Sequence, residues 1–203
     1  MIPRTILVAT RNQNKLAEIV SILSVPGLIF RSLAEFEFIA EVAETGRTFR
    51  ANALLKARFY HEQTSLPVIA DDSGLMVPAL GNEPGVYSAR YAGEKASYSE
   101  NNRKLLQRMS GLKGDQRRAH FICQMVYLDK DICLSALGLT HGLITDRPKG
   151  RSGFGYDPMF YVPELGKTYA QLQPEQKNMI SHRYRALRNL ASKLSRYRAN
   201  KLD

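Results

Sequence analysis

Strand-like and helix-like hydrophobic patterns alternate along the first part of the chain, and no other sequence feature constrains the fold as strongly. The apolar run Ile6–Ala9 predicts a buried strand, and apolar residues between Leu16 and Leu23 then recur at helical spacing. A helical pattern over residues 48–61 precedes a second apolar run over residues 67–70. This order of elements favours a sheet with helices packed on it.

Strand-like patterns follow one another in the second part of the chain. A helix is predicted over residues 97–109, and two β-rich segments, 119–128 and 132–144, are joined by a short polar link that favours an antiparallel hairpin. The last pattern is a helix with Leu187 and Leu190 on one face and Ser181 as its N-cap. Alternation followed by paired strands predicts the α/β class, with a mixed β-sheet flanked by helices.

The size and composition of the chain suit one domain. With 203 residues, 44% of them hydrophobic, it can bury most of the surface that its unfolded form exposes. Residues 1–203 are therefore expected to form a single domain with two lobes. No apolar run approaches the roughly 18 residues that a membrane span needs, and we expect a cytoplasmic protein without a membrane anchor.

The formal net charge of +10 indicates either a polyanionic partner or a basic, solvated surface. Two concentrations of lysine and arginine, over residues 103–118 and 183–201, lie on predicted helices and their connections. They lack the interleaved aromatic residues of a surface that binds single-stranded nucleic acid, which favours solvated faces. A basic nucleic-acid-binding protein without catalysis is the alternative from a different class.

The polar turn between the first strand and the first helix is a candidate anion site. Backbone amides at a helix N-terminus bind anions, and the hydroxyl of Thr10, the amide of Asn12 and the ammonium of Lys15 can assist them. A lysine in a first helical turn opposes the helix dipole, and a bound phosphate would remove that conflict. The alternative is an ordinary polar turn with a solvated lysine.

A pair of acids, Asp71 and Asp72, follows the second apolar run, and Glu44 precedes the helix that carries Lys56. The sequence predicts that the strand ends at these acids, where ligand sites of open α/β sheets commonly lie. Carboxylates there suit Mg²⁺ bound through one or two of them plus substrate phosphates, and one acid can take a proton from water. The alternative is structural, because Asp-Asp-Ser-Gly is also favourable turn sequence.

A glycine-rich aromatic loop over residues 152–158 is the third candidate. Phe154, between two glycines, can offer an open face for base stacking, and Asp157 can accept from a ring N–H. The alternative is a loop that only covers a core edge. A fourth candidate is Lys177 together with residues 181–183, where basic donors converge at a helix start; the alternative there is a solvated helix end.

Six stretches of these segments resemble the inosine triphosphate pyrophosphatase family, also called XTP/dITP diphosphatases, over nearly the full chain. They read ILVATRNQNKLAEI, ETGRTFRANALLKA, IADDSGL, PGVYSARYAGE, GFGYDPMF and KNMISHRYRAL. Each motif alone is weakly specific, and the resemblance rests on their order and spacing along one chain. The resemblance implies an ITPase-like fold of two α/β lobes with the active site in the cleft between them, a homodimer, and dependence on Mg²⁺.

The resemblance also implies a set of residues for the triphosphate and the metal. Thr10, Asn12 and Lys15 match the family's phosphate-binding turn, Lys56 its phosphate-facing lysine and Ser73 a phosphate-contacting serine; Glu44 and Asp72, with Asp71 beside them, match the acids for metal binding and water activation. The catalytic residues would be Asp72, Lys15 and Lys56, with Asp72 deprotonating the attacking water.

A second set is implied for the base. Phe154, Asp157, Lys177, His182 and Arg183 match the family's base pocket, and Gly155 and Tyr156 belong to the same loop. Hypoxanthine and xanthine present a 6-keto acceptor and an N1–H donor, which suit donors from His182 or Arg183 and an acceptor at Asp157. Adenine reverses both groups.

Two positions depart from the family pattern. Arg11 stands where most members have glycine, and Ala51 stands where many have glutamate. Arg11 adds a charge next to the predicted phosphate turn and lacks the backbone freedom of glycine there.

The activity implied is Mg²⁺-dependent hydrolysis of ITP, dITP and XTP to the nucleoside monophosphate and pyrophosphate, which cleanses the nucleotide pool. A hydrolase of pyrimidine triphosphates is the closest alternative, since it shares the opening strand, turn and helix but does not need the Ser-His-Arg pocket. No membrane and no specific nucleic acid are expected among the partners.

Overall fold

A computed structural model of the chain describes residues 4–23, 27–36 and 38–199. Its strands are β1 Arg4–Val8, β2 Leu28–Ser32, β3 Val68–Val77, β4 Glu83–Pro84, β5 Arg118–Leu128, β6 Cys133–Ile144, β7 Phe160–Val162 and β8 Lys167–Thr168. Its helices are α1 Gln13–Ile22, α2 Phe49–Thr64, α3 Tyr98–Arg108, α4 Pro174–Ile180 and α5 His182–Ala199.

The strands form a mixed sheet in the order β2-β1-β3-β5-β6-β7-β8, with β4 beside β3. β1 runs parallel to β2 and to β3, whereas β7 pairs antiparallel with both β6 and β8. Continuous apolar runs, as in β1, are typical of parallel strands that are covered on both faces. The predicted α/β class with a mixed sheet flanked by helices is confirmed.

The described residues group into two compact units. The first takes in the residues up to Asp72, then Cys123–Gly138 and those from Arg183 onward; the second takes in Ser73–Ile122 and Leu139–His182. Residues of β3, β5 and β6 fall into both units. The predicted cleft between two lobes stays a prediction.

Two hydrophobic clusters build the first unit, one on each face of β1. Ile6 and Val8 pack with apolar residues of α1 and α5, while Leu7 and Ala9 pack with those of α2. This division follows from the alternation of side chains along a strand. The second unit has a core of its own, rich in aromatic residues, which includes Phe121, Tyr156, Phe160 and Tyr169.

The strand that carries the acids is longer than predicted. We expected it to end at Asp71, but β3 continues through Asp71, Asp72 and Ser73 to Val77. Both carboxylates have partners here, which removes the cost of burying them within a strand.

The other predicted elements agree closely with the structure. The helix over 48–61 is α2, with Thr48 as its N-cap, and the helix over 97–109 is α3, capped by Ser97. β5 and β6 are neighbours joined by a short link in which the Asp129 N–H donates to the Ile132 carbonyl. Within the described ranges, none of the helices combines the length and apolar character needed to cross a membrane.

Candidate functional site

Asp71 and Asp72 point to opposite faces of β3, because consecutive residues of a strand alternate. Asp71 lies on the face of Ile69, which packs with α1 and α5, and Asp72 lies on the face of Ala70, which packs with α2. The two neighbouring carboxylates therefore face different helices, although Lys15 and Lys56 act on the pKa of both.

Asp71 is bound by two cations. Its Oδ2 lies 3.2 Å from Lys15 Nζ and accepts a hydrogen bond from Arg183 Nη2, also at 3.2 Å. Arg183 in turn binds Glu18 on α1. Burial alone would raise the pKa of Asp71, but Lys15, Arg183 and Lys56 together hold it well below its usual range. Asp71 is thus ionised at any physiological pH.

Asp72 has a different environment. Asn52 Nδ2 donates to Asp72 Oδ2 at 2.9 Å. Burial raises the pKa of Asp72 to about 6, Lys56 opposes this rise and the nearby Glu44 reinforces it. A carboxyl that changes charge close to neutral pH has the properties of a general base.

Glu44 and Lys56 form an ion pair on the same face of β3, with Nζ 2.5 Å from Oε1. Burial would lower the pKa of Lys56, but Asp71, Glu44 and Asp72 raise it above its normal value. Lys56 therefore stays charged although it is buried on α2.

Among the described residues, no three His, Cys, Asp or Glu side chains are grouped to hold a metal ion. Mg²⁺ commonly takes only one or two protein carboxylates and completes its shell with phosphate and water.

The turn before α1 is already internally bonded. Asn12 is the N-cap, and its side-chain oxygen accepts from the backbone N–H groups of Asn14 and Lys15. The Thr10 hydroxyl oxygen accepts from the Asn12 N–H at 3.1 Å. Arg11 turns away to the Ile39 carbonyl, 2.8 Å from Nη2. The charge of Arg11 thus lies on the segment that precedes Glu44.

The aromatic loop belongs to the second unit, where it forms a second polar cluster. Asp157 Oδ2 accepts from Lys177 Nζ at 2.7 Å and from the Phe154 N–H at 2.8 Å. Lys177 Nζ lies 4.6 Å from the centre of the Phe154 ring. Gly153 has φ +78°, and a Cβ on it would lie 2.1 Å from Asp157 Oδ2. The loop therefore requires glycine at position 153.

Other predicted site residues of the second unit have structural contacts. Tyr156 is buried in the core and its hydroxyl donates to the Ser88 carbonyl at 2.9 Å. The Gly155 carbonyl accepts from Asn102 Nδ2. Ser73 is half-buried on β3, directly after Asp72. Their roles toward a substrate stay predictions.

His182 and Arg183 are consecutive but fall into different units. The His182 ring stacks on Phe121, with ring centres 4.7 Å apart and an angle of 10° between the planes. Arg183 is 1% exposed and binds the carboxylates of the first unit. The predicted base pocket thus has Asp157, Lys177 and His182 in one unit, while the guanidinium of Arg183 lies in the acidic cluster of the other.

Sequence reasoning missed Asn52, Glu18 and Phe121. The position of Asn52, four residues before Lys56 on α2, places both on one helical face and was a usable signal. Glu18 lies three residues after Lys15 on α1, and this spacing likewise places both side chains on one helical face. The partnership of Phe121 with His182 crosses 61 positions, and no local pattern indicates it.

Comparison with protein-family models matches the Ham1 family over residues 6–193. The chain belongs to the Ham1 family. Similar relatives include two proteins named dITP/XTP pyrophosphatase. The one from Geobacillus kaustophilus is 46% identical over 188 residues, and the alignment covers 92% of each chain. The one from Escherichia coli is 46% identical over 192 residues, and the alignment covers 93% of this chain and 97% of the other.

Solved structures of Ham1 proteins have the same fold. The protein from Coxiella burnetii is 40% identical, with a TM-score of 0.86 over 95% of this chain and 99% of the other. The Staphylococcus aureus protein is 42% identical, with a TM-score of 0.85 over 95% and 98%. The resemblance to this family expected from the sequence motifs is therefore confirmed.

Proposed function

We propose that the protein is a pyrophosphatase that hydrolyses non-canonical purine nucleoside triphosphates, ITP, dITP and XTP, to the monophosphate and pyrophosphate. The observation that carries the proposal is the buried Asp72, with a pKa of about 6, beside Glu44 and the charged Lys56. The names of relatives about 46% identical over most of the chain support the substrate class.

Glu44 and Asp72 are the residues that would hold Mg²⁺. They lie close enough for Glu44 to raise the pKa of Asp72, and such mutual repulsion between carboxylates is relieved by a divalent cation. Asp71 is a poorer ligand, because Lys15 and Arg183 already bind its Oδ2. When bound, Mg²⁺ neutralises charge on the triphosphate.

Asp72 acts as the general base in the proposed reaction. Its carboxylate, which has a pKa of about 6 before any metal binds, can take the proton of a water that attacks the α-phosphorus. A bond forms between the water oxygen and the α-phosphorus, the bond from that phosphorus to the bridging oxygen breaks, and pyrophosphate leaves. Lys15 and Lys56 bind phosphate oxygens and stabilise the developing charge.

Asp157 and Lys177 select the base. Asp157 supplies an acceptor and Lys177 a donor within 2.7 Å of each other, which complements the adjacent N1–H and 6-keto groups of hypoxanthine and xanthine. Adenine reverses this order of donor and acceptor, so Asp157 and Lys177 would lose both hydrogen bonds to the base, at a cost of about a thousandfold in rate. Phe154, which Lys177 contacts, offers a ring for stacking.

The test is a panel of ITP, dITP, XTP, ATP, dUTP and CTP, scored separately for pyrophosphate and for orthophosphate, with Mg²⁺ or with EDTA. We expect pyrophosphate from the first three only, and only with Mg²⁺. Orthophosphate as the first product, a preference for the pyrimidine substrates, or full activity in EDTA would each contradict the proposal. Absence of any turnover would favour a non-catalytic protein.

We also propose a homodimer acting in the cytoplasm, as the family resemblance implies. Sedimentation equilibrium at micromolar concentration tests the assembly. A single species of the monomer mass would exclude the dimer.

A further inference from the structure

Two histidines outside every motif assigned above meet on the sheet of the second unit. His120 lies on β5 and His141 on the neighbouring strand β6. Their Nδ1 atoms are 2.8 Å apart, and the ring planes are nearly perpendicular, at 84°. His141 is exposed and His120 is half-buried, so the pair is accessible from solvent.

This geometry matches two ligands of one metal ion. Two metal–nitrogen bonds of about 2.0–2.1 Å that meet at a right angle place their nitrogens about 2.9 Å apart, whereas a tetrahedral angle requires about 3.3–3.4 Å. The observed 2.8 Å is close to the first value. Right angles between imidazole ligands are typical of tetragonal Cu²⁺ and Ni²⁺ sites, and Cu²⁺ is the tighter binder of the two.

We propose that His120 and His141 form a binding site for a divalent transition metal of tetragonal geometry and that Cu²⁺ binds there most tightly. Without metal, one Nδ1–H donates to the other Nδ1. When the ion binds, the donor ring moves its proton to Nε2, and both Nδ1 lone pairs face the metal. Water fills the remaining positions.

The hydrogen bond between the two rings supports this site. The Nδ1 that accepts it carries no proton, so that ring is neutral unless its other nitrogen is unprotonated as well. Neutral imidazole is the form that binds metals. The chemistry also separates this site from the proposed Mg²⁺ site, because Mg²⁺ prefers oxygen ligands.

The test is calorimetric titration of untagged protein with Cu²⁺ at pH 7.5 in a weakly coordinating buffer, with excess Mg²⁺ to occupy carboxylates. We expect one Cu²⁺ per chain. His120→Gln and His141→Gln should each weaken binding by about a hundredfold, because the second imidazole then no longer binds intramolecularly. His61→Gln is the matched control, since His61 is bonded instead to the Leu66 carbonyl and should leave Cu²⁺ binding unchanged.

Electron paramagnetic resonance of the Cu²⁺-loaded parent protein supplies a readout that needs no variant. In the parent protein, we expect two imidazole nitrogens coupled to the Cu²⁺ ion. In either glutamine variant, we expect only one. Unchanged Cu²⁺ affinity in both variants, a single coupled nitrogen in the parent, or no binding at all would overturn the site.

Discussion

At the scale of single residues, the clearest feature is the contrast between Asp71 and Asp72. They are chemically identical and adjacent, yet the pKa of Asp71 is lowered and that of Asp72 is raised. Strand alternation turns one toward two cations and the other toward Asn52 and Glu44. A permanent charge and a titrating base thus arise from one dipeptide.

Asp72→Asn should keep the fold and lose turnover by about a hundred- to ten-thousandfold, because an amide cannot accept the proton of water. Steady-state hydrolysis of ITP together with thermal unfolding measures this. Asp71→Asn is the matched comparison. It leaves Arg183 and Lys15 without their shared anion and should lower the free energy of unfolding by about 3 kcal/mol or more. Normal turnover in folded Asp72→Asn would remove Asp72 from the role of base.

The stability of the protein should also depend on pH through Asp72. Its pKa is about 6 when folded against 3.8 unfolded, so the folded state binds this proton more tightly. The resulting stabilisation is present below pH 4 and is lost as the pH rises to 6, by about 3 kcal/mol in all. Asp72→Asn removes the titrating carboxyl, so the stability of this variant does not fall in this way. Urea unfolding of both proteins at pH 4, 5, 6 and 7 should therefore show that the variant becomes more stable relative to the parent as the pH rises. A difference in free energy of unfolding that stays constant over this range would contradict the raised pKa of Asp72.

His182 and Arg183 should respond differently to truncation. In the base pocket that the resemblance implies, His182 donates to the 6-keto oxygen beside Lys177. A neutral hydrogen bond contributes about 0.5–1.5 kcal/mol, so His182→Ala should lower kcat/KM for ITP about twofold to tenfold and change that for ATP much less. Arg183→Ala breaks a buried ion-pair network with Glu18 and Asp71, and should cost about 3–5 kcal/mol of stability and affect both substrates alike. A selective loss for ITP in a fully stable Arg183→Ala protein would return Arg183 to the base pocket.

At the scale of elements, the loop over residues 150–158 depends on glycine for two separable reasons. Gly153 has a positive φ and no room for a Cβ beside Asp157, while Gly155 has a positive φ of +60° but open space around it. One position thus combines strain with a clash, and the other has strain alone.

Gly155→Ala should cost about 1–2 kcal/mol, the penalty of a left-handed conformation. Gly153→Ala should cost more and should also displace Asp157 from Lys177, which lowers kcat/KM for ITP. Thermal unfolding and ITP kinetics on both variants compare them. Equal effects of the two substitutions would mean that the contact with Asp157 contributes nothing.

Elements with strong periodicity could be predicted, and weak ones could not. β1, α2, α3 and the β5–β6 hairpin follow from their apolar patterns. β2 mixes apolar residues with Arg31 and Ser32, and β7 has only three residues, so neither signals a strand. The proline that begins α4 was a usable helix signal. The end of β3 was placed too early because its acids are stabilised by distant partners, and Arg183 lies 112 positions from Asp71.

For the whole molecule, the net charge of +10 is concentrated in part on α5. Arg185, Arg188 and Arg196 are exposed there; the side chain of Arg198 and residue Lys201, which belong to the same predicted basic face, lie outside the described residues. Exposed charges of this kind are screened by salt and contribute little to a distant reaction.

Replacing Arg185, Arg188 and Arg196 together by glutamine should leave ITP hydrolysis within about twofold at physiological ionic strength. Lys15→Gln, which removes a single charge from the predicted phosphate site, is the control that should lower kcat/KM strongly. Kinetics at low and high salt compare them. A large rise in KM for ITP in the triple variant would place α5 in the substrate site.

The ion pairs of Lys15 with Asp71 and of Lys56 with Glu44 exist before any substrate arrives. In the proposed reaction, an entering triphosphate competes with these carboxylates, so its net gain is smaller than the bare attraction between phosphate and ammonium. The same competition limits how firmly ATP and GTP can occupy the protein, since they carry an identical tail. In the proposed function, discrimination then rests on the base, which is the part that distinguishes the rarer nucleotides from a large excess of normal ones.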